Sequence, residues 1–118
     1  MTADENLENN AKDIVLSFIN ALNDRDYETA GEFLSRDMQF SGVLGKRDGA
    51  EAYIQDMKHM QFQYDVVKTF ADGNDVCLFY NIDMQGTKVF TSGWYQLSGG
   101  KIKSIKVVFD PRPVLENK

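Results

Sequence analysis

The chain is poor in the residues that build metal and redox sites. It has one cysteine, Cys77, and one histidine, His59, in 118 residues. A single cysteine cannot close an intrachain disulfide, which fits a reducing cytoplasm. One cysteine and one histidine also cannot form a zinc site of the Cys/His kind. The two prolines, Pro111 and Pro113, stand together near the C-terminus, where they stop a strand because proline cannot donate to the ladder. No apolar run is long enough to span a bilayer, and the acidic, polar stretch from Met1 to Asn10 has neither the basic nor the apolar region of a signal peptide. Positive charge is in deficit, with a net charge of −5 and a pI near 4.7. A chain without a basic face is a poor partner for nucleic acid or an anionic membrane. The expectation is a cytoplasmic protein that binds neither.

What is present is an ordinary globular composition at a length that holds one core. A single domain over 1–118 is expected, with residues 1–6 frayed. Leu7, Ala11, Ile14, Val15, Phe18, Ile19 and Leu22 recur at helical spacing, and the polar turn Asn23-Asp24-Arg25-Asp26 ends that helix. Asp26 is placed to cap a second helix running through Leu34. Met38 to Ser41 reads as a short extended piece, followed by a loop punctuated by Gly42, Gly45 and Gly49. A third helix is predicted from about Asp48 to Met60, with Ala50, Tyr53, Ile54 and Met57 on one face.

The rest of the chain alternates with period two. Strand 62–70 sets Phe62, Tyr64, Val66 and Phe70 on one face, with Lys68 as the exception. Strand 76–85 sets Val76, Leu78, Tyr80, Ile82 and Met84 against Cys77, Phe79, Asn81, Asp83 and Gln85. Strand 88–97 sets Val89, Thr91, Gly93, Tyr95 and Leu97 against Lys88, Phe90, Ser92, Trp94 and Gln96. Strand 102–110 turns Ile105, Val107 and Phe109 inward. Turns fall at residues 71–75, 85–87 and 98–100. Helices followed by an antiparallel sheet give an α+β fold with a pocket between the two layers.

Three stretches carry a family resemblance: Phe18-Ile19-Asn20-Ala21-Leu22-Asn23-Asp24-Arg25-Asp26-Tyr27, Phe33-Leu34-Ser35-Arg36-Asp37-Met38-Gln39-Phe40, and Gly100 to Asp110. In order and spacing they resemble the nuclear transport factor 2-like superfamily, within it the SnoaL-like and ketosteroid-isomerase-like proteins. The resemblance implies a cone-shaped α+β barrel, with three N-terminal helices packed on a curved, mostly antiparallel sheet enclosing a pocket. It implies a small, mostly apolar ligand and, if the chain is an enzyme, a cofactor-free isomerase, cyclase or dehydratase. The alternative is a non-catalytic binding or assembly module, since such a fold does not fix function. Steroid isomerisation is excluded by the residues. The first-helix tyrosine of those enzymes falls on Phe18, their base near Ser41 or Gly42, and their late-strand acid near Gly93 or Tyr95. The base and at least one donor are missing.

The candidate chemistry then rests on few side chains. Asp110 ends the last strand, as in many SnoaL-like sequences, and reads as a rim acid or base; a local turn role competes with it. His59 is the one side chain that titrates near neutrality in unperturbed form, and it falls at a helix end where the dipole also favours it. Tyr80 and Tyr95 share the inner face, where two phenols can hold a ligand oxygen. Phe18, Gln39, Tyr53, Met57, Val107 and Phe109 complete the expected lining. The turn around Asp72, Asn74 and Asp75 lacks the ligand spacing of a calcium loop, Cys77 reads as a packing residue, and no metal is expected. On the outer face Cys77, Phe79, Phe90, Trp94 and Val108 form an apolar patch, expected to be the seam of a sheet-to-sheet homodimer. Cover by the C-terminal Val114 and Leu115 is the competing explanation.

Overall fold

The computed structural model describes residues 3–116, with side chains described for 7–115. Helix α1 (Ala3–Asn23) buries Ala11, Val15, Phe18, Ile19 and Leu22 on one face, as their spacing predicts. Met1 and Thr2, part of the stretch expected to fray, lie outside the described residues. Asn23 ends α1 and clamps it to the sheet. Its side-chain amide donates to the Tyr64 carbonyl at 2.8 Å and its oxygen accepts the Tyr64 N–H at 2.7 Å. Asp26 caps α2 (Tyr27–Glu32) by accepting the Thr29 N–H at 3.2 Å.

The second helix stops two residues short of the expected Leu34. That residue opens β1 (Leu34–Gly42), and the Phe33 carbonyl accepts the Ile102 N–H at 2.9 Å. Pairing with the far end of the chain draws Leu34 out of the helix. The glycine-punctuated loop also proves to be structured. Gly42 pairs with Gly45, Val43 and Leu44 form the tip, and β2 (Gly45–Asp48) returns along β1. Because Asp48 is held in β2 opposite Gln39, α3 (Ala50–Met60) starts two residues later than expected, after Gly49 at φ 93°.

Four strands follow: β3 (Gln63–Asp72), β4 (Asp75–Met84), β5 (Thr87–Ser98) and β6 (Lys101–Phe109). The sheet runs β2-β1-β6-β5-β4-β3, with β1 parallel to β6 and every other pair antiparallel. It is curved and unclosed, with the helices packed on it.

Two irregularities correct the simple alternation. In β3, Val66 pairs with Tyr80 but Lys68 pairs with Phe79, so Val67 is an extra residue. This bulge explains the Lys68 exception, and it also turns Phe70 to the outer face, contrary to expectation. In β6, Ser104 pairs with Gln96 but Ile102 with Leu97, so Lys103 is an extra residue, which lets Ile102 and Ile105 both point inward and be fully buried.

A fourth helix, α4 (Arg112–Glu116), follows the last strand. Proline stops the strand as expected, yet its fixed φ suits a first helical turn. The Pro111 carbonyl accepts the N–H groups of Val114 and Leu115. Val114 packs on the core side, so the described tail leaves the outer face uncovered. Among the described residues no helix is long and apolar enough to cross a membrane.

Candidate functional site

A cavity of about 470 Å³ opens between α3, the β1–β2 hairpin and the inner faces of β3 to β6. Its walls are apolar, with Phe40, Met57, Phe62, Ile82, Val107 and Phe109 among them. Tyrosine is the exception. Four of the chain's five tyrosines, Tyr53, Tyr64, Tyr80 and Tyr95, line this one space. Three arrive by strand alternation and Tyr53 by the inner face of α3.

Tyr80 and Tyr95 meet hydroxyl to hydroxyl at 2.7 Å, and both are fully buried. Gly93 makes room for them: a Cβ at that position would stand 2.2 Å from the Tyr80 oxygen. Tyr64 packs edge-on against Tyr80 and its hydroxyl donates to the Met57 sulfur at 3.5 Å. Tyr53 lies between Phe40 and Phe18, and its hydroxyl makes no hydrogen bond to a described residue. Burial pushes all four phenols above their ordinary range. For Tyr80 the bond from Tyr95 offsets part of that rise. The four are therefore neutral hydroxyls near neutral pH, able to donate and accept but not to supply a charge.

The exposed members of the lining surround the opening: Val43, Leu44, Lys46, Arg47 and Gln85. Arg47 grips Asp56 of α3 with two parallel bonds, Nε to Oδ2 at 2.8 Å and Nη2 to Oδ1 at 3.0 Å. This ties the hairpin to the helix across the mouth.

The expected site residues divide sharply. Tyr53, Met57, Tyr80, Tyr95, Val107 and Phe109 come together on the cavity. Phe18 does not reach it; fully buried, it packs behind Tyr53 and Tyr95. Gln39 is exposed and points to the opposite face of β1 from the buried Met38 and the cavity-lining Phe40, because neighbours on a strand alternate. His59 is exposed on α3, away from the face that carries Tyr53 and Met57. Asp110 is exposed and paired with Arg112, whose guanidinium and backbone N–H hold its carboxyl down at about 2. Neither residue lines the cavity. On the outer face Phe90, Trp94 and Val108 are well exposed and Phe79 half-buried, joined by Phe70.

Sequence reasoning missed Tyr64, Asp56, Lys46 and Arg47. The first two carried a signal: Tyr64 shares the strand parity of Tyr80, and Asp56 stands one turn after Tyr53. Lys46 and Arg47 carried none, since their hairpin read as loop. Among the described residues no three His, Cys, Asp or Glu side chains cluster around a possible ion position.

Residues 15–105 match the family described as SnoaL-like domain. The chain belongs to that family. Among solved structures, this SnoaL-like chain is similar to a nuclear transport factor 2-like protein of unknown function from Cytophaga hutchinsonii. That match has 46% identity over 89% of this chain and 94% of the other, with a TM-score of 0.88. It also resembles an LEH-like epoxide hydrolase from M. tuberculosis, at 21% identity over 92% and 89% of the two chains and a TM-score of 0.80. A de novo designed protein with a curved β-sheet is similar at 22% identity over 99% and 96%, TM-score 0.79. The latter two likenesses are of fold alone. Among curated proteins none matches.

Proposed function

We propose that this SnoaL-like protein binds a small, mostly apolar organic molecule in its cone cavity and holds a carbonyl or hydroxyl oxygen of that molecule with Tyr80 and Tyr95. The pair itself carries this reading. When one phenol donates to the other, one proton is left for a further acceptor. No described residue takes it, so a ligand oxygen can accept it. The apolar walls supply the burial of the remainder.

A cofactor-free isomerase, cyclase or dehydratase is the second reading. The carboxylate that lines the same cavity is Asp56, which would first have to leave its two-bond pair with Arg47; His59 and Asp110 stand outside. Asp56 would move the proton while the phenols stabilise charge growing on the ligand oxygen. Phe18 has no proton to offer, so steroid isomerisation is not among these reactions. For the outer face the reading is a homodimer packed sheet to sheet, supported by the exposed Phe70, Phe90, Trp94 and Val108. The same face would serve an assembly module.

Calorimetry with an acetylnaphthalene and its isopropenyl isostere tests the pocket. The ketone should bind roughly threefold to tenfold more tightly, the range of one net hydrogen bond. Tyr80→Phe and Tyr95→Phe together should erase that preference, since either hydroxyl can carry the free proton. Equal affinities in the wild type would remove the phenols from the reading, and binding of neither probe would remove the pocket.

A further inference from the structure

We infer that the ligand of this cavity is an apolar acid, its anionic end at the mouth facing Lys46 and Arg47 while its apolar body extends toward the tyrosines. The inference rests on the pocket reading above and adds the chemical class.

The charged residues of the cavity lining are Lys46, Arg47 and Asp56. Two cations and one anion leave the mouth positive on a chain whose net charge is −5. Asp56 is already bound by Arg47 through two oxygens, which spends its charge. Lys46 makes no ion pair with a described residue. Arg47 uses only two of its five N–H groups on Asp56, so its remaining edge can donate to a carboxylate without leaving the pair. The hairpin that carries both cations also carries Val43 and Leu44, which are 41% and 58% exposed and still line the cavity. An apolar tip beside two cations matches an amphipathic molecule that leaves its head in water. A cationic ligand would meet repulsion there.

The test compares three related probes by calorimetry at low salt: the acetylnaphthalene above, an acetylnaphthoic acid with its carboxylate at the far end, and the corresponding acetylnaphthamide. The acid should bind about threefold to fivefold more tightly than the amide, the scale of an exposed ion pair. The preference should shrink as salt is added. Lys46→Ala should abolish most of it, read as the acid-to-amide affinity ratio within the variant, with circular dichroism checking the fold of this substitution at an exposed position. Equal binding of acid and amide, or a preference that survives in Lys46→Ala, overturns the inference and leaves the pocket reading standing. Binding of none of the three overturns both.

Discussion

A Cβ on Gly93 would stand 2.2 Å from the Tyr80 oxygen and 2.9 Å from Cε1 of Tyr95. The backbone of Gly93 does not need φ above zero, so the demand is for space alone. Gly93→Ala should therefore lower stability by about 1–3 kcal/mol through overpacking, read from the urea midpoint. Combined with Tyr80→Phe, which removes the atom in closest contact, the loss should fall short of the sum of the two by at least about 0.5 kcal/mol. Additive losses would mean that the clash is relieved by the backbone and not at the phenol. At this scale the sequence was partly legible. Tyr80 and Tyr95 followed from strand parity, a property local to each strand. His59 and Asp110 were selected by chemical type, and type says nothing about which way a helix end or strand end faces. Asp110 in particular is consumed by Arg112, two residues along.

Element by element, the deviations arise where one strand is counted against another. The extra Val67 in β3 is invisible in the sequence, because a bulge exists only relative to the partner strand. Its consequence is large. By setting Lys68 opposite Phe79 it holds that ammonium on the outer face, and deleting the extra Val67 leaves this pairing in place. That deletion should cost no more than about 3 kcal/mol and leave a folded protein, since no later side chain of the strand changes face. Val67→Ala, at a position 56% exposed, should stay within about 0.5 kcal/mol of the wild type in thermal unfolding. A deletion that prevents folding would show that the bulge itself is needed to bend the strand. The β1–β2 hairpin was missed for a related reason. Its four-residue returning strand is exposed throughout, so it has no hydrophobic alternation to read, yet it brings Lys46 and Arg47 to the mouth.

For the whole molecule the two faces of the sheet differ in kind. The inner face holds the cavity. The outer face stacks Phe79 on Phe90, sets Phe70 edge-on to Phe79, and places Lys106 over Trp94 at 4.7 Å. Trp94 also donates to Asp75 at 3.0 Å, which fixes its ring on the surface. If this face is the dimer seam, Trp94→Lys should halve the mass measured by light scattering while the fold, followed by circular dichroism, stays intact. An unchanged mass would move the seam elsewhere or leave the face to another partner.

What the sequence determined by itself is the class of fold, the inward positions of the strands other than β3 and the outer apolar patch. Each follows from a local periodicity, three to four residues for helices and two for strands, which a linear reading can count. Tertiary structure alone decided that Leu34 belongs to a strand, that Phe70 faces outward, that Phe18 stands behind the cavity, and that two cations guard its mouth. All four depend on which distant segment pairs with which, and on hydrogen bonds such as that from Ile102 to Phe33 which join opposite ends of the chain. The candidate site lies at that junction: its tyrosines come from periodicity and its charged rim from pairing.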